Sequence, residues 1–166
     1  MDLLVNPDLV TLFSQLVLAV FLGMLLGTER SIAGKTAGMR TYALVSLGSA
    51  LFIITSTIAT GVYLPLLNFD PLRVAGGIVT GVGFLGAGMI IFRGSRVSGL
   101  PTAASLWVAA GIGMAVGFRL YAVAIFTTLL TLLVFTILWA IEQKIKSFKY
   151  YEEDDTEVEA VVNDRD

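Results

Sequence analysis

Cysteine and histidine are both missing from this chain of 166 residues. Without cysteine there is no disulfide, no thiol chemistry and no thiolate metal site. Without histidine the commonest general base and the usual zinc ligand are gone. Charge is scarce too. Charged residues make up 14% of the chain, against about 25% in soluble domains, so little of it is built to face water. Residues 1–12 carry Asp2 and Asp8 but no Lys or Arg. A cleaved signal peptide opens with positive charge, so the first apolar run is expected to remain as a helix.

Enzyme chemistry finds nothing to use. There is no Ser/His/Asp set, no P-loop and no metal triad in the sequence. A Gly-x-Gly-x-x-Gly does occur at Gly81, Gly83 and Gly86. It lies inside an apolar run with no strand before it, so it is not a nucleotide fingerprint. Interleaved basic and aromatic residues of a nucleic-acid binder are also absent. The reading is therefore neither an enzyme nor a nucleic-acid partner.

What the chain has is apolar sequence, 56% hydrophobic with a mean hydropathy of +0.84. A spanning helix needs about 20 mostly apolar residues. Five segments qualify, at about 9–28, 41–64, 74–92, 102–117 and 120–141. The fold class is an all-α polytopic bundle of five transmembrane helices. Residues 1–141 form the membrane domain. Residues 142–166 form a basic-then-acidic tail, expected to be disordered because its acidic run repels itself. Such a tail reads as solvated rather than as a cation store. The fourth span is short, with a tight turn at Gly117–Arg119, and a tilted or re-entrant hairpin competes there.

Charge sets the orientation. With five spans, Arg30, Lys35, Arg40, Arg93, Arg96, Lys144, Lys146 and Lys149 share one side, and Arg73 and Arg119 the other. The positive-inside rule makes the richer side cytoplasmic. The N-terminus is then outside and the C-terminus inside. Asp70–Pro71 and Pro101–Thr102 are expected to start helices three and four, and Thr41 to cap helix two. A weak repeat aligns Lys35, Gly38, Thr41 and Ala43 with Arg96, Gly99, Thr102 and Ala104. It suggests that helices one–two and three–four are parallel repeats.

Small residues mark the faces where helices touch in lipid. Helix three carries two such faces, one through Gly77 and Gly81, the other through Gly76, Thr80, Gly83 and Ala87. Gly86 and Gly88 follow. A central helix, packed on both sides, is expected; a broken helix with free carbonyls is the alternative. Helix four has Ser105, Ala109, Gly113 and Gly117 at steps of four, and helix one has Gly23 and Gly27. A homodimer with helix four or helix one at a closely packed interface is expected, with Gly113 as its sharpest probe.

Three stretches carry a family resemblance. Residues 23–48 read GMLLGTERSIAGKTAGMRTYALVSLG, residues 70–93 read DPLRVAGGIVTGVGFLGAGMIIFR and residues 99–107 read GLPTAASLW. In this order they resemble the MgtC/SapB family of bacterial inner-membrane proteins, over about 23–121. The resemblance carries over as Glu29, Arg30, Gly34, Gly38, Arg40, Thr41, Asp70, Arg73, Gly81, Gly83, Phe84, Gly86 and Gly88. Gly99, Thr102, Ala103 and Trp107 complete it. Departures are Ser31–Ile32 where relatives carry more charge, Thr36 where they often have Pro, Tyr42 where His is common, and Gly76–Gly77 where Ala-Gln is frequent. The resemblance implies a virulence-associated family linked to magnesium homeostasis. Its members are described both as Mg²⁺ transporters and as regulators of other membrane proteins.

Six residues are the functional candidates: Glu29, Arg30, Arg40, Asp70, Arg73 and Arg93. A magnesium site uses one or two carboxylates and several waters. Glu29 and Asp70 are expected on opposite sides, each beside arginine, and this makes a poor dedicated cage. The reading is that they pair with arginine, Glu29 with Arg40 or Arg93. The metal ligands are left unknown and no cofactor is required, although Mg²⁺ stays weakly supported. The basic loops could cradle a phosphate, a lipid headgroup or a partner's carboxylate at helix N-termini. The favoured function is a membrane regulator acting through helix contacts with itself or another membrane protein; the alternative is a transporter of Mg²⁺ or another ion or small solute.

Overall fold

Asp8 starts the first helix: its carboxylate accepts a hydrogen bond from the Val10 amide at 3.3 Å, as an N-cap does. The computed structural model describes residues 8–63, 70–94 and 96–163. Helix α1 spans Leu9–Ile32, α2 Met39–Tyr63 and α3 Pro71–Met89. Strands β1 (Ile91–Arg93) and β2 (Arg96–Ser98) form an antiparallel hairpin, followed by α4 (Leu100–Gly117) and α5 (Tyr121–Asn163). All five helices contain a stretch long and apolar enough to cross a membrane.

The caps explain most of the boundaries. Asp70 accepts from the Leu72 amide at 2.9 Å and Pro71 opens α3, as expected. Helix α2 starts two residues before Thr41. Its cap is instead the Ser31 hydroxyl, from the end of α1, which accepts from the Met39 amide at 3.2 Å. Helix α4 starts at Leu100, with Pro in its first turn and no side-chain cap. Gly99 before it has φ +91°, and a Cβ there would strike the Met89 carbonyl. Only glycine fits so close an approach with a left-handed backbone. Gly38, its counterpart in the proposed repeat, shows no positive φ among the described residues.

The hairpin was not expected from the apolar pattern, which carried helix three to about 92. The helix stops at Met89, and Ile91, Phe92 and Arg93 pair with Ser98, Val97 and Arg96. Gly94, at φ +60°, supplies the left-handed turn residue, which hairpins of this length favour.

In lipid, apolar burial does not separate one helix from its neighbour, so close backbone approach decides the packing. Gly23 of α1 lies so near α2 that a Cβ would stand 2.6 Å from the Tyr42 carbonyl and 2.8 Å from Ser46 Cβ. At Gly27 the obstacle is Met39 Cα, at 2.6 Å. From the other side, Gly113 of α4 abuts the backbone of Ser46, and a Cβ at Gly117 would meet Ile53 Cβ at 2.7 Å. Ser46 is thus clamped between two glycines on two helices. Helix α4 also packs on α1 and α3. Half of its most apolar window is buried, against 17% for α3.

The expectation of a central helix three therefore gives way to a central α4. Helix α3 buries Ile78, Val82 and Gly86 along one strip, joined by Ile53 of α2 and Ala110 of α4. Of its close-packing glycines, Gly86 alone meets a neighbour, Ala103 at 3.5 Å. At Gly76, Gly77, Gly81, Gly83 and Gly88 a Cβ would find nothing within 4 Å. The expected interface on α4 is also corrected: α2 of the same chain fills the Gly113–Gly117 groove, and it covers Gly23 and Gly27 as well.

The chain divides into two compact units, Met1–Thr131 and Leu132–Asp166. In the first, Ala124 and Thr128 of α5 are buried one turn apart. In the second, helical backbone continues past the expected span end near 141 to Asn163. The segment set down as a disordered tail is thus helical to that point. Lys, Glu and Gln are good helix formers, which offsets part of the acidic repulsion. Most helical threonine hydroxyls bond locally: Thr28, Thr55, Thr57, Thr60, Thr80, Thr128 and Thr131 each donate to the carbonyl four residues back.

Candidate functional site

Polar residues converge where α1 ends and α2 and α4 begin. Ala33 and Gly34 turn the chain out of α1, their amides donating to Glu29 O at 2.9 Å and Ser31 O at 3.1 Å. Gly34 takes φ +65°, and the Lys35 amide returns to Arg30 O at 2.9 Å. The turn holds Arg30 inward, and it is 5% exposed. Its Nε donates to the Glu29 carboxylate. The expected partners of Glu29 were Arg40 or Arg93. Among the described residues the pair formed is with its chain neighbour, because burial of Arg30 demands a counter-charge at once. Arg40 stays exposed at the start of α2.

Next to this pair lies Tyr42, fully buried. Its hydroxyl meets Ser105 Oγ of α4, and Ser105 Oγ donates to Thr102 O at 2.9 Å. A serine has one hydroxyl proton, so Tyr42 is the donor to Ser105. Tyr42 also lies within electrostatic reach of Arg30 and Glu29. Polar contacts therefore tie the helices at one end of the bundle: Tyr42–Ser105 joins α2 to α4, and Met39–Ser31 joins α2 to α1. Further along, Gln15 of α1, 2% exposed, donates from Nε2 to Val116 O of α4 at 3.1 Å. Ser46 and Ser56 are buried, and among the described residues their hydroxyls have no hydrogen-bond partner.

Sequence reasoning passed over Tyr42, Ser105 and Gln15 as contributors of polar contacts. A signal was present: each is a hydrogen-bonding side chain inside an apolar run, and such residues bond across helices in lipid. The other candidates lie apart from this cluster. Asp70 is exposed and serves as a cap; Arg73 is exposed one turn on. Glu29 and Asp70 flank opposite ends of α2, whose 25 residues span about 37 Å. They cannot share a cation. Among the described residues no group of three or more acidic side chains is placed to hold a metal. Arg93 and Arg96 face each other in the hairpin ladder; their side chains lie outside the described ones.

Residues 16–144 match the model of the MgtC family. The chain is 40% identical over 139 residues to the protein called "Putative magnesium transporter YhiD" of Escherichia coli (strain K12), covering 82% of this chain and 65% of that one. It is 41% identical over 130 residues to "Protein MgtC" of Salmonella typhimurium (strain LT2), covering 78% and 53%. An uncharacterised Haemophilus influenzae protein is 39% identical over 118 residues, covering 69% and 50%. The chain thus spans about half to two-thirds of the length of these curated relatives. No solved structure matches it. The matched region takes in Glu29, Arg30, Tyr42 and Ser105, most of the first apolar helical stretch and the whole of the other four, and this multi-pass membrane protein belongs to the MgtC family.

Proposed function

We propose that the protein is a non-enzymatic regulator in the bacterial inner membrane, tied to magnesium limitation. It acts by packing α3 against a helix of a second copy or of another membrane protein. The observation that carries this reading is the bare face of α3. Arg73, Gly76, Thr80, Gly83 and Ala87 follow one another at steps of three and four, all exposed. That is the spacing of a helix–helix seam, and small residues there let a partner backbone approach. The small-residue seams of α1 and α4 are filled within the chain. The magnesium link rests on the family and on the name of the Escherichia coli relative.

The test is Gly83→Leu, at a position with open space around it. The variant should fold and insert as the parent does. It should fail to restore growth in low magnesium to a strain lacking the protein, and lose crosslinks made from α3. Full complementation by a folded Gly83→Leu variant would end the proposal.

A second reading, transport, is favoured by the buried unpartnered hydroxyls of Ser46 and Ser56, since polar groups inside a bundle can mark a solute path. Purified protein in liposomes separates the two. Mg²⁺ flux that depends on Ser46 or Ser56 would support transport and remove the regulator reading.

Orientation is proposed from the basic loops, with the C-terminus cytoplasmic. Single cysteines at Ser98 and Thr156 should resist an impermeant thiol reagent added outside, while one at Leu66 should react. Labelling at Thr156 from outside would reverse the assignment.

A further inference from the structure

Helices α2 and α3 leave a groove between them with a volume of about 630 Å³, within the range of about 300–1,000 Å³ common for small-ligand sites. Gly48, Gly77 and Gly81 form its floor, and Leu44, Phe52 and Leu85 stand along its rim. Nothing lies within 4 Å of a Cβ at any of the three glycines. The rim side chains are half or more exposed, so the groove opens sideways, toward the bilayer. It faces away from the Gly76–Thr80–Gly83–Ala87 seam: helical residues at steps of four share a face, and Gly77, Gly81 and Leu85 form a separate row.

An apolar groove at membrane depth has nothing to offer water. Hydrocarbon fills it, either a lipid tail or the side chains of a protein helix. Charge at its mouth decides between them. Arg40 and Thr41 stand one turn before Leu44 and Val45 on α2, hence on the same side of the helix, and both are exposed. No carboxylate of the described residues pairs with Arg40. The first backbone N–H groups of a helix lack intrahelical partners, so those of Arg40 and Thr41 add donors beside the guanidinium. A basic group with free donors above a hydrocarbon-lined slot complements a molecule with an anionic head and an apolar body.

We propose that this groove binds an anionic phospholipid, with its phosphate on Arg40 and Thr41 and one acyl chain laid over Gly48, Gly77 and Gly81. The lipid belongs to the leaflet that faces the α1–α2 loop. The site goes beyond the partner seam on α3 and is independent of it.

Phe52 reports on the groove. The probe is a variant with Phe52→Trp, Trp107→Phe and Trp139→Phe, which leaves one tryptophan at the rim. It is reconstituted in phosphatidylcholine vesicles with a fixed fraction of lipid brominated on the acyl chain, either phosphatidylglycerol or phosphatidylcholine. Quenching by the brominated phosphatidylglycerol should exceed that by brominated phosphatidylcholine about fivefold, as one basic contact gives. Adding Arg40→Gln should bring the ratio close to one. Adding Gly81→Leu, which fills the slot, should reduce quenching by both lipids. Leu44→Trp at the opposite end of the rim gives the same readout if Phe52→Trp does not fold. Gly83→Leu should leave the lipid preference intact, which separates this site from the seam. Equal quenching by the two lipids in the protein retaining Arg40 would overturn the proposal. So would weak quenching by both in a protein that migrates as a dimer, because a helix would then occupy the groove.

Discussion

Gly113→Leu is expected to leave little or no folded protein. Position 113 faces the backbone of Ser46, where even a Cβ would collide with the carbonyl. A colliding side-chain tip can rotate away, but a helix backbone cannot. Relief requires α2 and α4 to separate, and that would pull Ser46 off Gly23 of α1 as well. Overpacking a core costs about 1–3 kcal/mol and sometimes more. With a backbone as the obstacle, the upper end of that range is the expected loss. Size-exclusion profiles of detergent extracts measure it, as the fraction of monodisperse protein. Gly111→Leu is the control on the same helix, since a Cβ there meets nothing within 4 Å, and its profile should match the parent. A stable, monodisperse Gly113→Leu protein would show that α4 does not dock on α2 through this glycine.

The second large effect is expected at Glu29. Glu29→Gln removes the negative charge beside a buried guanidinium, because the Arg30 side chain is 6% exposed and that of Glu29 22%. Removing one member of a buried pair costs on the order of 3 kcal/mol, mostly from the charge left behind. Replacing both members by neutral groups is far milder. Thermal unfolding in detergent should therefore rank the parent first, Glu29→Gln/Arg30→Met second and Glu29→Gln last. If the double variant is no more stable than Glu29→Gln, the pair does not act as a unit. Arg40→Gln, at an exposed position, should not follow this pattern.

Particular residues show how much could be read before any coordinates. The number of spans was legible because hydropathy over about 20 residues reports a bilayer directly. So was the start of α3, because Asp70 and Pro71 act through local backbone chemistry alone. The hairpin at Ile91–Ser98 was missed because Ile91 and Phe92 are also apolar enough to extend a helix. The glycines were read as a packing code, but α2 of the same chain meets those of α1 and α4, and most of those on α3 meet no neighbour. Gly77, Gly81 and Gly83 look more compelling in sequence than Gly113 and Gly117. Which small face meets which neighbour depends on how all the helices are arranged, and no single segment encodes that. The partner of Glu29 was misplaced for a related reason. Arg40 and Arg93 were expected because they share the cytoplasmic side, but the Gly34 turn and the burial of Arg30 bring the adjacent residue onto Glu29.

The strip by which α3 is attached has a consequence for how this protein's robustness should be measured. Three residues, Ile78, Val82 and Gly86, are its buried side, while α1, α2 and α4 interlock around Ser46. Cohesion is therefore uneven: a tightly keyed trio carries a fourth helix along one edge. Local opening follows the least-buried element, and a protein that opens in parts has no single unfolding free energy. A melting curve followed by a probe on α3 would record the parting of that edge. A curve followed from Trp107 on α4 would record the loss of the trio. Agreement between two such curves would have to be demonstrated before either was used to rank variants.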